Sequence, residues 1–124
     1  MGYDVHITRK KFWFDEINED IALEEWIELV IEDSEMRLDK FAETSLSNGQ
    51  ILRVESEGLA VWTSYSKHAE NESMAWFDYF NGRIAVKNPD SEILGKMWSL
   101  AQKLAAKVQG DEGEIYDAYG NVTE

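Results

Sequence analysis

The stretch MAWFDYFNGRIAVKNPD, Met74 to Asp90, decides how this chain is read. Asn81 and Gly82 are the pair that tolerates the left-handed backbone of a type I′ turn, and strand-forming residues flank them on both sides. Such a turn fixes the register: Phe80 opposite Arg83, Tyr79 opposite Ile84, Asp78 opposite Ala85, Phe77 opposite Val86 and Trp76 opposite Lys87. One face then carries Ala75, Phe77, Tyr79, Ile84 and Val86 and belongs to a core. The other carries Trp76, Asp78, Phe80, Arg83, Ala85 and Lys87. It is too aromatic for an ordinary solvated face and too charged for a buried one.

Downstream, NPD breaks the second strand and opens a helix, capped by Asn88 with Pro89 at its first position, or by Asp90. Ile93, Met97, Leu100, Ala101, Leu104 and Val108 recur at helical spacing as its buried stripe. Lys96, Lys103 and Lys107 face water, and Gly110 ends the helix. EIYDAYG then reads as a last short strand. Upstream, QILRVES and LAVWTSYS read as strands around Gly58, with one further strand around Arg37 to Ser45. Leu23, Trp26, Ile27, Val30 and Ile31 mark an earlier amphipathic helix from Ile21 to Asp33, capped by Asp20. Its outer side carries Glu25, Glu28, Glu32 and Glu35 as an acidic stripe. GYDVHIT alternates, so Asp4, His6 and Thr8 lie on one face of a first strand and Tyr3, Val5 and Ile7 on the other. Phe12, Trp13 and Phe14 anchor the loop that follows. The expected architecture is α+β, an antiparallel or mixed sheet of five to six strands with two main helices packed on it.

At 124 residues the chain has the size of a single globular domain, residues 1–124. With 44% hydrophobic and 12% aromatic residues it is rich enough to fold. No apolar run approaches the roughly 20 residues of a membrane span, and no signal-peptide core is present, so the cytoplasm is the expected location. The absence of cysteine removes disulfides, thiol catalysis and cysteine-ligated metals. A formal charge of −13 argues against nucleic-acid binding, which needs clustered lysine and arginine, and favours a basic protein partner. The acid is concentrated: between Phe12 and Met36, and again from Asp111 onward, there is no lysine or arginine.

His6, Ile7 and Thr8 match the histidine-x-threonine element of the two-histidine phosphoesterases, in which an imidazole and a hydroxyl hold a phosphate. The second such element is missing, since His68 stands in SKHAEN with no serine or threonine two residues on. Asp4, His6 and Thr8 are therefore candidate catalytic residues only if they share a cleft with Asp78, His68 or the DEGE turn. Otherwise they are the wet side of an edge strand. Asp111, Glu112, Glu114 and Asp117 supply oxygens suited to a hard cation but lack the calcium-loop spacing, and no metal or other cofactor is expected. Neither a phosphate loop nor a G-x-S-x-G elbow occurs. Trp62, Trp76 and Phe80 are the aromatic candidates for binding. Trp76, Asp78, Phe80 and Arg83 together make an interface-like mixture. Glu25, Glu28 and Glu32 form a second surface, suited to steering a basic partner.

Laid end to end, MGYDVHITRK, LEEWIELV, DSEMRLD, LAVWTSYS, MAWFDYFNGRIAVKNPD and VQGDEGEIYD resemble a family of small, uncharacterised bacterial proteins that open with a Y-D-V/L-H-I-T-R strand. That resemblance spans nearly the whole chain and implies no activity or catalytic residues. The ending, a lysine-containing helix followed by VQGDEGEIYD, is similar to that of immunity proteins of bacterial polymorphic toxin systems. It implies an inhibitor of a basic toxin. Separately, a monomer or a homodimer is expected, the latter through a self-complementary aromatic sheet face. The contrasting expectation is a small hydrolase or metal-dependent enzyme using Asp4, His6 and Thr8.

Overall fold

The computed structural model describes residues 3–15, 20–39, 41–45, 47–55, 58–66 and 75–123, with 41–45 and 51–55 described as backbone alone. The fold is α+β. Strands β1 (Asp4–Thr8), β2 (Met36–Leu38), β3 (Phe41–Ser45), β4 (Ile51–Glu55), β5 (Ala60–Trp62), β6 (Trp76–Phe80), β7 (Arg83–Lys87) and β8 (Lys107–Gly110) accompany helices α1 (Leu23–Glu32) and α2 (Ser91–Lys103). Six strands form one antiparallel sheet in the order β2-β5-β6-β7-β1-β8, and β3 pairs with β4 separately. One sheet face, with Val5, Ile7, Phe77, Ile84, Val86 and Val108, packs with Trp26 and Val30 of α1 and Ile93, Met97 and Leu100 of α2 into a single core. Among the described residues no helix is long and apolar enough to cross a membrane.

The hairpin forms as its sequence dictates. Asn81 and Gly82 take φ of 51° and 77°, and Phe80↔Arg83, Tyr79↔Ile84 and Asp78↔Ala85 face each other. Trp26 anchors α1 from the opposite side: it is fully buried, and its Nε1–H donates to the Gly58 carbonyl at 2.8 Å. Glycine is needed there because a Cβ would meet the Tyr79 Cβ at 2.5 Å.

Several elements differ from the sequence expectation. Asp20 does not cap α1; the N-cap is Ala22, without a side-chain bond. Asp20 is drawn to the hairpin tip instead, where its carboxylate pairs with Lys10 at 3.1 Å and the next residue, Ile21, donates its N–H to the Gly82 carbonyl. Ile31 is 69% exposed and does not belong to the buried stripe. Glu35 lies beyond the helix end.

The second helix begins as one alternative had it, with the Asp90 side chain accepting from the Ile93 N–H. It stops earlier than expected, at Lys103. Ala105 enters the left-handed region at φ 53°, the Ala106 N–H bonds the Ala101 carbonyl, and the Ala105 N–H bonds that of Gln102. These two bonds form a Schellman ending without glycine. Lys107 to Gly110 is consequently a strand, and Gly110 pairs with Val5. The spacing of Leu104 and Val108 fits a helix, while Ala106 and Val108 also fit a strand, so periodicity could not separate them. EIYDAYG supplies isolated bridges, Gln109↔Ile115 and Tyr116↔Val122, instead of a strand. The segment from Arg37 to Ser45 divides between two strands in different sheets. Lys96 is not solvated: it pairs with Asp33 at 2.7 Å and Glu35 at 3.3 Å.

Candidate functional site

With β8 in place, β1 is an interior strand, and its polar side cannot be the wet side of an edge. His6 lies between Ala85 on β7 and Gln109 on β8. It is 2% exposed and Thr8 is fully buried. Residues 9–15 cross this face as a strap. Gln109 holds the strap by accepting from the Trp13 N–H at 2.7 Å and donating to the Lys11 carbonyl at 3.0 Å. The Trp13 indole N–H donates to the Asp111 carbonyl at 3.2 Å, and its ring stacks on the His6 imidazole at 4.2 Å with 12° between planes. Trp13 therefore anchors the loop as expected, whereas Phe12 and Phe14 stay exposed at 39% and 58%.

The sequence-expected triplet separates into three roles. Thr8 Oγ1 accepts the Lys10 N–H, a local turn contact. Asp4 is half-buried, and its N–H donates to Asp111 Oδ2 at 2.9 Å. His6 Nε2 lies 2.8 Å from Asp111 Oδ1, so the DEGE turn does converge on the first strand. Burial lifts the Asp111 carboxyl, but the Asp4 amide, the His6 ring and Arg83 outweigh it and hold the pKa below the usual carboxylate value. Burial pushes His6 below the ordinary imidazole value, against the opposing pull of Asp111. The pair is thus a neutral imidazole donating from Nε2 to an ionised carboxylate. A few residues on, the Glu114 carboxylate accepts from the Tyr3 and Tyr116 hydroxyls; burial and this carboxylate push Tyr116 up to about 12. Among the described residues no group of three or more histidines and acids is placed to hold a metal. His68 lies outside them.

The hairpin face is not uniform. Arg83 is 9% exposed, with its guanidinium carbon 4.9 Å from the Trp13 ring centroid and 4.5 Å from that of Phe80. Phe80 is 44% exposed, while Trp76 and Asp78 are half-buried toward β5. Trp62 is core: it stacks on Tyr65 at 5.7 Å, and its indole N–H donates to Glu35. The site residues hidden from sequence reasoning are Trp13 and Asp111. Each was visible as an anchor or an acid, but only the β1–β8 register, Val5 opposite Gly110, brings Asp111 to His6.

The acidic stripe also divides. Glu25 is tied back by Arg9, which forms a two-pronged pair with it while donating to the Leu104 carbonyl at 2.8 Å. Glu24, Glu28 and Glu32 are exposed and form no ion pair among the described residues. They follow one another at i, i+4 and i+8, with Ile31 beside them. Compared with known proteins, the chain matches no family model, no curated protein and no solved structure.

Proposed function

We propose that this chain is an acidic protein-binding domain whose outer α1 face receives a basic protein partner, as an immunity-type inhibitor receives a toxin. One observation carries the reading: Ile31, 69% exposed, projects among the unpaired carboxylates of Glu24, Glu28 and Glu32. An apolar anchor ringed by charges of one sign is the composition of a docking surface, and the carboxylates would steer a cationic partner toward it. The charges also work against the helix. Like charges four apart each cost about 0.2–0.5 kcal/mol, and Glu32 faces the negative end of the helix dipole with no basic residue in the last turn. A face that lowers the stability of its own helix makes sense where a partner uses it. The hairpin face contributes at its rim through Phe80, with Trp76 and Asp78 set back from it.

Affinity capture at low salt tests this with three baits: the wild type, Glu28→Lys/Glu32→Lys and Ile31→Asp. The expected result is a basic protein retained by the wild type, released by salt and lost from both variants. The same protein retained equally by all three baits would contradict the assignment to α1. The second reading, a small hydrolase centred on Asp4, His6 and Thr8, draws on the 2.8 Å His6–Asp111 contact, in which Asp111 orients a potential base. It requires hydrolysis of an ester or phosphoester that His6→Gln abolishes. Hydrolysis unchanged in that variant would end it.

A further inference from the structure

Arg83 is nine-tenths buried, yet its side chain makes no hydrogen bond or ion pair with any described residue, and its Nε is enclosed without a partner. Buried cations are normally paired with an acceptor, because desolvation of the charge is otherwise uncompensated. The Trp13 and Phe80 rings attract the cation but offer no in-plane acceptor to its N–H groups. On the same sheet face His6 Nδ1 is likewise enclosed and unpartnered. Because Nε2 carries the proton shared with Asp111, Nδ1 presents a bare lone pair. The two orphaned atoms are thus a donor and an acceptor. They come from diagonal positions of β1 and β7, since His6 faces Ala85 and Arg83 stands two residues before it, and both side chains lie against the Trp13 ring. Diagonal neighbours across strands are about 7–8 Å apart at the backbone, so the two side chains share one patch of the face.

We infer that His6 and Arg83 form a binding site for a small oxyanion that keeps a hydroxyl: hydrogen phosphate, or the phosphate end of a monoester in its singly protonated form. Arg83 Nε–H donates to an unprotonated oxygen, and the ligand's hydroxyl donates to His6 Nδ1. The acceptor is what selects. Sulfate has no proton to give and would set an oxygen lone pair against that of Nδ1. Asp111 lies within electrostatic reach of Arg83 without hydrogen-bonding it, its oxygens accepting the Asp4 N–H and the His6 ring N–H. Asp4, within electrostatic reach of Arg83, favours a ligand of low charge. On this face Ala85 is half-buried and Lys87 exposed, and exposed Phe80, whose ring lies against Arg83, offers an apolar contact to an ester group.

The test is a nitrogen–proton NMR titration of the full chain at about pH 6, where phosphate and its monoesters both keep a hydroxyl, with sodium phosphate, sodium sulfate and phenyl phosphate at matched ionic strength. Phosphate should move the Arg83 Nε–H and Trp13 indole N–H signals saturably in the millimolar range, and sulfate should not. Arg83→Lys, which keeps the charge but loses the planar fork, should weaken phosphate at least about tenfold. Phenyl phosphate binding several-fold tighter than inorganic phosphate would identify a monoester, and equal binding would identify the free ion. Signals unmoved by phosphate, or moved equally by sulfate, would overturn the inference. The comparison of the two ions on the wild type decides the matter even if Arg83→Lys does not fold.

Discussion

The two helices lie on the same sheet face and are built on opposite terms. In α2 the Asp90 side chain caps the first turn, Glu92 lies at the positive end of the dipole and Lys103 at the negative end, and a Schellman ending closes the last turn. It buries Ile93, Leu94, Met97, Leu100 and Ala101. In α1 there is no side-chain cap and no basic residue in the last turn, and only Trp26 and Val30 are fully buried. The difference teaches where each helix gets its stability. α2 is stable through its own caps, charges and packing, whereas α1 depends on Trp26 and Val30 and leaves its outer face free to carry charge.

The largest effect that could break this contrast is at Trp26. Trp26→Ala removes a fully buried ring that packs 6.4 Å from Phe77 and donates to Gly58. It should lower unfolding free energy by about 3–5 kcal/mol in urea titration. A loss below about 1 kcal/mol would mean that α1 has another anchor. Asp90→Ala should cost about 1–2 kcal/mol, since it removes both the cap to Ile93 and the acceptor of the Tyr65 hydroxyl. Ala22→Asp, at the uncapped start of α1, should move stability the other way.

Acidification addresses the α2 side, because α2 delivers β8 and with it Asp111 to His6. Burial keeps the folded imidazole below the usual 6.5, so the unfolded chain takes up a proton first as pH falls. Stability is then fully present above about 6.5 and declines as pH falls from there toward the folded value. Asp111, Asp33 and Glu114, all held below their usual carboxylate values, keep their charge across that window. Urea midpoints of a His68→Gln chain at pH 7.5 and 5.5 should therefore differ, the lower at 5.5, and His6→Gln should remove the difference. The smallest effects distinguish the helices by sign. Glu32→Lys should stabilise by about 0.3–1 kcal/mol and Lys103→Glu should destabilise by a similar amount, read as shifts in urea midpoint.

Local chemistry made much of the fold legible. Asn81-Gly82 announced its turn and register, NPD the start of α2 with Asp90 as one of two caps, and the alternation of Val5 and Ile7 the core side of β1. The misses have a common cause, which is that they depend on distant partners. Ala105 carries no sign that it will adopt φ 53° and convert a helix tail into β8. Without β8, nothing makes β1 an interior strand. The His6–Asp111 contact joins residues 105 apart in sequence, so the DEGE turn stood as one of three possible neighbours of the histidine-x-threonine element, and only the β1–β8 register selects it. Asp20 looked like a cap because its residue type suits one. Its lysine partner and the hairpin tip, both set by tertiary packing, took it instead. On the acidic helix, composition identified the stripe, but only the structure separates Glu25, neutralised by Arg9, from the unpaired Glu28 and Glu32.

The Glu28→Lys/Glu32→Lys chain measures the central claim most directly, with its urea midpoint and its capture of the basic partner determined on the same preparation. Its midpoint should equal or exceed that of the wild type, because repulsion along α1 is relieved, and the captured protein should be lost. A lowered midpoint, or undiminished capture, would contradict the view that α1 gives up stability for a partner.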